Sequence, residues 1–586
     1  MNLTEMILRA ASPYPAVALD VFDTLLKRDV ARPTDLFLLR GEAFARARVE
    51  AETQARAAAG REVTLAEIYA RPPLAGYDPA AECALECRAA AANRPVWEAV
   101  RALRAQGKRL YYISDMYLPP EQINAMLTRC GYDRFDGGFV SSAYGVQKRS
   151  GKLFQRFLHE TGLKAREVLF IGDDWRADVL GAALAGIRAW HLPKEQGMQA
   201  FPPAETAGDG ALAAFVQNRV RGRAVDGETV GFAVLGPLLT AFCQWIHEKR
   251  KERPESRLYF LARDMYLTRQ IYAVLYPGEP TQYLQVSRRS LCPLLLQRRA
   301  FAQLVEALPR QRLSGTQIAA YCGAACPPEY AAQTFDLKGG GEEARLYTLF
   351  HALTPPASAA LALGYLRQSG LQGEDWLVDI GSGGTTQMLL ESLCGCTLHG
   401  LQLSGDARLR KRRHGAAEVF LSLDRAQAAL YWAGQPMLER MISQDVGATV
   451  AYAEEGDTYM PQQAAQRPEP LVQALQRGAL AFAKAWQGGV LAGTAIRPQQ
   501  AIAPFLHLTG QPTKQQAALL GDLTVEDGGV YPLAAPGSLR SYLRHPARAR
   551  HDLAQARWKI GFLKRLLPWP LPYGRLYLAA KNQTER

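Results

Sequence analysis

The sequence predicts an α/β protein: a doubly wound parallel sheet in the N-terminal third, a second Rossmann-like α/β region, and a mainly helical C-terminal region. Three observations lead there. Short apolar runs of strand length alternate with helical stretches, the pattern of parallel sheets built from strand–helix–strand units. Several of these runs end in Asp, Ser or Gly, as expected where ligands meet the carboxyl ends of sheet strands. The 586 residues are too many for one ordinary core, so roughly two to four domains are expected.

The first strand is Ala16 to Leu19, ending at Asp20. A stretch rich in Ala, Glu and Arg follows, from about Pro33 to Arg94, and reads as helical. Next come a helix over Val96 to Gln106, a strand over Arg109 to Ile113, and a helix after Pro119–Pro120, where Pro suits the first turn. The strand Val168 to Ile171 precedes Gly172, and the following helix runs to Ala185 with Gly186 as its stop. Pro193 to Gly210 carries Pro, Gly and small residues and reads as a linker. The segments are therefore 1–200, with an inserted helical part at about 30–95, then 225–455 and 456–586.

The second region holds an echo of the first. Arg109-Leu-Tyr-Tyr-Ile-Ser-Asp115-Met-Tyr-Leu118 is matched by Arg257-Leu-Tyr-Phe-Leu-Ala-Arg-Asp264-Met-Tyr-Leu267, with one residue inserted. Either an old duplication or two independent strand–loop–helix units explains it.

Composition narrows the function. The apolar fraction of 48% and charged fraction of 21% are those of a folded chain. A net charge of +13 favours anionic ligands such as sugar phosphates or nucleotide sugars, or an anionic membrane surface. The nine cysteines form no zinc-ligand pattern, and an odd, scattered set suits reduced thiols and a cytoplasmic setting. The N-terminus carries no signal-peptide pattern. The longest apolar stretch, Val230 to Ile246, is interrupted by Gly231, Gly236, Pro237 and Gln244 and reads as a buried helix.

Four pieces in the first segment carry chemistry. In Leu19-Asp20-Val-Phe22-Asp23-Thr24-Leu-Leu26, a carboxylate at a strand end can attack phosphorus and form an aspartyl phosphate. Ser114, after the next strand, can hold phosphoryl oxygens together with nearby N–H groups and Thr24. Lys148 would neutralise nucleophile and phosphate. Gly172-Asp173-Asp174-Trp-Arg-Ala-Asp178 supplies carboxylates of the kind that magnesium takes in small number. Asp20 and Asp173 are the expected direct ligands with the Phe22 carbonyl, while Asp178 and Asp174 are ligands or their supports. Asp115 is either a further working carboxylate or a cap for the turn before Pro119.

This ordered set resembles the motifs of the haloacid dehalogenase (HAD)-like hydrolase superfamily, over roughly residues 14 to 195. The resemblance implies a HAD-like sheet, a helical cap at about 30–95 that covers the site and selects substrate, Mg2+, and phosphatase or phosphotransferase chemistry through Asp20. One departure stands out. Phosphatases of the superfamily carry a second Asp two residues after the nucleophile as acid/base, a group typically worth about 10²–10⁴-fold in rate. Here that position is Phe22, and Asp23 is the nearest substitute. The dehalogenase branch also has an aromatic there, but it needs no metal and lacks the full cluster that Asp173, Asp174 and Asp178 make.

In the second region, Trp376-Leu-Val-Asp379-Ile-Gly381-Ser-Gly383-Gly384-Thr385-Thr386 follows a strand and opens a helix, a layout that can cradle an anion. Arg263-Asp264 and Ser287-Arg288-Arg289-Ser290 follow other strands and are expected to converge on the same anion, or to be solvated loops. Together with Asp20-Val-Phe-Asp-Thr-Leu-Leu and Ile113-Ser-Asp-Met-Tyr-Leu-Pro119, these motifs resemble a large bacterial HAD-like family associated with surface-polysaccharide and glycosyltransferase gene clusters, over roughly residues 14 to 455.

The run Arg408 to His414 is basic but lacks the interleaved aromatics of a single-strand binder, so no nucleic acid is expected. Residues 558–578, with Trp558, Lys559, Lys564 and Trp569, read as a segment packed on its parent domain or lying peripherally at the inner face of a membrane. The expected function is a cytoplasmic Mg2+-dependent HAD-like phosphatase or phosphotransferase acting on a small phosphorylated substrate, a sugar phosphate or glycan intermediate of surface-polysaccharide synthesis, with glycosyltransferase partners. The alternatives are a catalytically weak HAD-like scaffold, and glycosyltransferase activity in the second region.

Overall fold

A computed structural model describes residues 2–193, 200–338, 341–412, 416–526 and 530–584. The chain forms two compact units, residues 1–224 with 485–496, and 225–484 with 497–586. These units do not follow the segment boundaries at 200 and 456 read from the sequence: the region after 224 is shared between them.

The first unit is built on a five-stranded parallel sheet of β1 (Ala16–Leu19), β2 (Arg109–Ser114), β3 (Gly137–Val140), β4 (Val168–Gly172) and β5 (Arg188–His191), in the order β3-β2-β1-β4-β5. β1 is central and wholly buried. Val17 and Leu19 enter one apolar core and Ala16 and Ala18 the other, so both faces of the sheet are covered. The order reverses at β1, which puts a crevice at the carboxyl ends of β1 and β4.

Between β1 and β2 the chain makes the expected helical insertion. Its main helix, Glu42–Ala59, ends at Gly60 in the left-handed conformation that glycine adopts freely. A fully buried ion pair ties this helix to Pro79–Ala89: Arg48 donates to both Glu82 oxygens at 2.7 and 3.0 Å. The insertion leaves and re-enters through an antiparallel pair, Leu26–Arg28 with Ala90–Ala92, which the sequence does not announce because its second strand is three alanines.

Residues 193–210, expected as a linker, end in structure. A helix runs over Ala207–Val220, capped by Thr206, and its Asn218 and Arg219 side chains donate to the buried Asp29. Residues 194–199 of that expected linker lie outside the described residues.

The second unit holds another five-stranded parallel sheet: β6 (Leu258–Leu261), β7 (Gln282–Leu284), β8 (Trp376–Ser382), β9 (His399–Gly405) and β10 (Ala417–Val419), in the order β10-β9-β8-β6-β7. Its switch point lies between β6 and β8. The echoed segments therefore occupy different places: β2 is the second strand of its sheet and β6 the first of its own. What the two regions share is a strand–turn–helix unit, not a sheet topology.

The continuous helix Gly227–Arg250 is long and apolar enough to cross a membrane, yet 78% of its most apolar window is buried in the protein, as expected for a core helix. At the C-terminal end, Trp558 is buried and its indole donates to the Thr509 carbonyl, while Ile560 and Phe562 are buried on the same helix, Lys559–Leu566. That stretch packs on its own unit instead of presenting an apolar face. Trp569, Leu571 and Leu576 remain exposed. Of the basic run 408–414, residues 413 and 414 lie outside the described residues; Arg408 pairs with Asp406.

Candidate active site

The carboxyl ends of β1, β2 and β4 bring together the residues that the sequence singles out. Asp20 follows β1 directly and is tied to β4 by its N–H, which donates to the Ile171 carbonyl at 2.9 Å. The loop after it is held from below: Asn93 donates to the Thr24 carbonyl at 2.8 Å and Tyr132 to the Leu25 carbonyl at 2.7 Å. Asp23 sits in this loop at φ 62°, a left-handed conformation that Asp tolerates better than most residues.

Lys148 lies at the centre. Its Nζ is 2.6 Å from Asp20 Oδ1 and 2.6 Å from Asp178 Oδ1, and all three side chains are buried. The Lys148 turn is fixed by Asp115, whose carboxylate accepts the Lys148 N–H at 2.9 and 3.2 Å. Asp115 is thus the anchor of the lysine turn. Glycine completes the fit twice. A Cβ on Gly172 would meet Asp178 Oδ2 at 2.2 Å, and one on Gly181 would meet the Lys148 carbonyl at 2.3 Å.

One oxygen from each of Asp20, Asp173 and Asp178 lies within 4.8 Å of the others, a spacing that suits a hard cation. Asp174 stands apart from this set. Its Oδ1 accepts the Arg176 and Ala177 N–H groups at 2.7 and 2.8 Å, so it caps the turn that carries Asp178. The Thr24 hydroxyl donates to Asp173 Oδ1 at 3.3 Å and so orients a carboxylate. Ser114 ends β2, fully buried. The Phe22 ring lies under the Arg28 guanidinium, 3.9 Å from its centroid.

Burial pushes the Asp20 carboxyl above the usual range; the Lys148 ammonium opposes this, and Asp178 and Asp173 add to it. Burial also works against charge on Lys148, but the Asp20, Asp178 and Asp115 carboxylates outweigh it and raise its pKa. Burial raises Asp173, with Asp23 adding to the effect. The cluster is a surplus of carboxylates around one ammonium, an arrangement that a further cation would relieve.

A family model for haloacid dehalogenase-like hydrolases matches residues 14–186. Residues 14–186 are a HAD-like hydrolase domain. Solved structures similar to this chain include a dehalogenase with an intermediate complex (15% identity, 33% of this chain and 88% of that one, TM-score 0.24). Others are a predicted phosphoglycolate phosphatase from Haemophilus somnus 129pt (21%, 30% and 84%, TM-score 0.23) and a HAD family enzyme from Bacteroides thetaiotaomicron (16%, 32% and 96%, TM-score 0.26). No curated protein matches the chain.

Beside the HAD-like site a cleft of about 550 Å³ opens, lined by Asp23, Lys27, Asn93, Asp173 and, from beyond the family match, Phe201 and Gln217. Lys27 donates to the Asp23 carbonyl at 2.6 Å, with its carboxylate 3.6 Å away. Sequence reading misses this wall, because Phe201 and Gln217 fall in or just after the stretch read as a linker.

The second unit has a cleft of its own, of about 570 Å³, at the carboxyl ends of β6 and β8. It joins Arg263, Asp264, Ser287, Arg288, Asp379, Gly381, Gly383 and Thr385, whereas Arg289 lies over the Tyr321 ring and the buried Ser290 hydroxyl meets Tyr452. Gly381 and Ser382 have φ of 98° and 97°, and a Cβ on Gly381 would clash with the Ser404 carbonyl. Arg263 is turned to the Val446 carbonyl and Gln466. The sequence does not reveal Glu439 and Ser443, which reach the cleft from the helix Arg425–Ile442 and its end.

Proposed function

We propose that the HAD-like unit transfers a phosphoryl group from a small phosphate ester, with Asp20 as nucleophile and Mg2+ as cofactor. The observation that carries this reading is the placement of the Lys148 ammonium between Asp20 and Asp178, with Asp173 beside them.

The donor set fits a divalent cation. Three carboxylates face one ammonium, and all are hard oxygen donors. Asp20, Asp173 and Asp178, with the Phe22 carbonyl, would hold Mg2+, which when bound would offset charge on the phosphoryl oxygens. Asp20 attacks phosphorus through a carboxylate oxygen. The bond from phosphorus to the ester oxygen breaks, and that oxygen leaves with a proton. Water then attacks phosphorus, releasing inorganic phosphate and regenerating Asp20; an acceptor hydroxyl in its place gives phosphotransfer. Lys148 neutralises Asp20 and the incoming phosphate, and Ser114 holds a phosphoryl oxygen. Thr24 holds Asp173 for the cation. Asp23, at the edge of the 550 Å³ cleft, is the acid/base in place of Phe22. A sugar phosphate is a substrate of suitable size and polarity for that cleft, and a phosphorylated intermediate of surface-polysaccharide synthesis belongs to this class.

A second reading rests on Phe22. With Arg28 stacked on its ring and no carboxylate at that position, the unit binds a sugar phosphate without turning it over.

Phosphate release from a panel of sugar phosphates and an aryl phosphate, with Mg2+ and with chelator, tests the proposal. Turnover that needs Mg2+ and is lost in Asp20→Asn supports it. A folded protein that releases no phosphate and takes up no beryllium fluoride overturns it in favour of the binding role.

A further inference from the structure

The cleft of the second unit has the layout of a ligand site. It lies at a switch point of a parallel sheet ordered 2-1-3-4-5 by its own strands, where open α/β sheets bind their ligands. Its volume of about 570 Å³ is that of a small-molecule pocket.

Two kinds of group line it, the first being Asp264, Asp379 and Glu439. They are held by neutral donors: Ser443 donates to Asp264 at 2.7 Å, and Gln435 bridges Ser382 and Glu439 at 2.9 and 2.7 Å. Burial and Asp264 raise the Asp379 carboxyl; burial, Asp264 and Asp379 raise Glu439, with Gln435 and Arg263 opposing. These carboxyl groups can take hydrogen bonds from a ligand. The second kind is the Gly381–Thr386 turn, opening the ten-residue helix Thr385–Cys394, with Arg288. Arg288 is exposed and makes no ion pair among the described residues. Backbone N–H groups at a helix start and a guanidinium select an anion.

We propose that this cleft binds a phosphorylated polyol, with the phosphate on the Gly381–Thr386 turn and Arg288 and the hydroxyls on Asp264, Asp379 and Glu439. Both a sugar phosphate and a sugar nucleotide have this chemistry. The phosphate offers acceptors to the turn and to Arg288, and the hydroxyls offer donors to the carboxylates. Neither kind of group alone would discriminate such a ligand from a bare anion or a neutral sugar.

Isothermal titration of the full-length protein, with chelator present, tests this using glucose 1-phosphate, UDP-glucose and inorganic phosphate. Wild type is compared with Arg288→Ala, Asp379→Asn and, as a control for the HAD-like site, Lys148→Met. The expected result is saturable binding of glucose 1-phosphate or UDP-glucose at least tenfold tighter than inorganic phosphate. That binding is weakened about tenfold or more in Arg288→Ala and Asp379→Asn and kept in Lys148→Met. The first two probes tell a sugar phosphate from a sugar nucleotide. Arg288 is exposed, so its variant reports on the cleft even if Asp379→Asn disturbs folding. Binding lost only in Lys148→Met would move the ligand to the Asp20 site and overturn the proposal. So would equal affinity for all three probes, or no saturable binding of any at millimolar concentration.

Discussion

Lys148 Nζ lies 2.6 Å from Asp20 Oδ1, in a site where both side chains are almost wholly shielded from water. The same ammonium is equally close to Asp178, so one cation holds two carboxylates of different roles in place. Removing it leaves both charges buried and unpaired, which typically costs about 3–5 kcal/mol. Lys148→Met should therefore lower phosphate release by about 10²–10³-fold. It should also lower the denaturant midpoint of the first unit when Mg2+ is chelated, with partial recovery on adding Mg2+. A variant with unchanged midpoint and unchanged rate would show that the ion pair is neither structural nor functional.

Asp23 is the only carboxylate in the loop from 21 to 25, and it borders the cleft beside Asp173. If it takes the acid/base role, Asp23→Asn should lower phosphate release by about 10²-fold or more, with KM changed little. Asn keeps the left-handed backbone at φ 62°, so the loop should survive the change. The pH–rate profile should lose one limb in the variant. An unaltered profile would remove Asp23 from the mechanism and leave water or a cap residue as the acid.

Much of this site is legible in sequence because it is made at strand ends. Asp20, Ser114 and Asp173 each follow or close a short apolar run, and the parallel sheet brings such ends together whatever lies between them. What is not legible depends on side-chain direction. Asp174 and Asp178 stand in the same motif, yet only the second faces Lys148, since the first turns back to cap its own helix. Thr24 looks like a phosphate ligand by type and is directed to Asp173 by the loop. In the second unit, Glu439 belongs to a long helix whose sequence gives no hint of which face meets the cleft. The helix Ala207–Val220 is hidden by the small residues at its start, and its tie to Asp29 spans nearly two hundred residues of chain.

Gly172 carries a prediction of its own. A Cβ there would lie 2.2 Å from Asp178 Oδ2, the oxygen that accepts the Asp174 N–H at 3.0 Å. Gly172→Ala should push Asp178 from Lys148 and from the triad without adding or removing charge. The expected outcome is at least a tenfold fall in rate at low Mg2+, with part of it recovered at high Mg2+. Titrating the rate with Mg2+ checks this; identical curves for variant and wild type would mean that Asp178 moves without consequence.

Burial and the neighbouring Asp264 lift Asp379 to about 7, and Glu439 is raised by burial, Asp264 and Asp379 against the pull of Gln435 and Arg263. An unfolded Asp titrates near 3.9. Between these values folded Asp379 keeps a proton that the unfolded chain releases, so its contribution to stability falls as pH rises from about 4 to about 7 and then levels off. The limiting slope for one proton is about 1.4 kcal/mol per pH unit. Solvent reaching the cleft reduces the total to about 1–2 kcal/mol. Asp379→Asn removes the ionising group, so it should stabilise the second unit at pH 8 by about that amount and do little at pH 4. Hydrogen exchange of the strand Trp376–Ser382 at the two pH values reads this directly. A gain of equal size at both would mean that the carboxylate is unfavourable for reasons other than its charge.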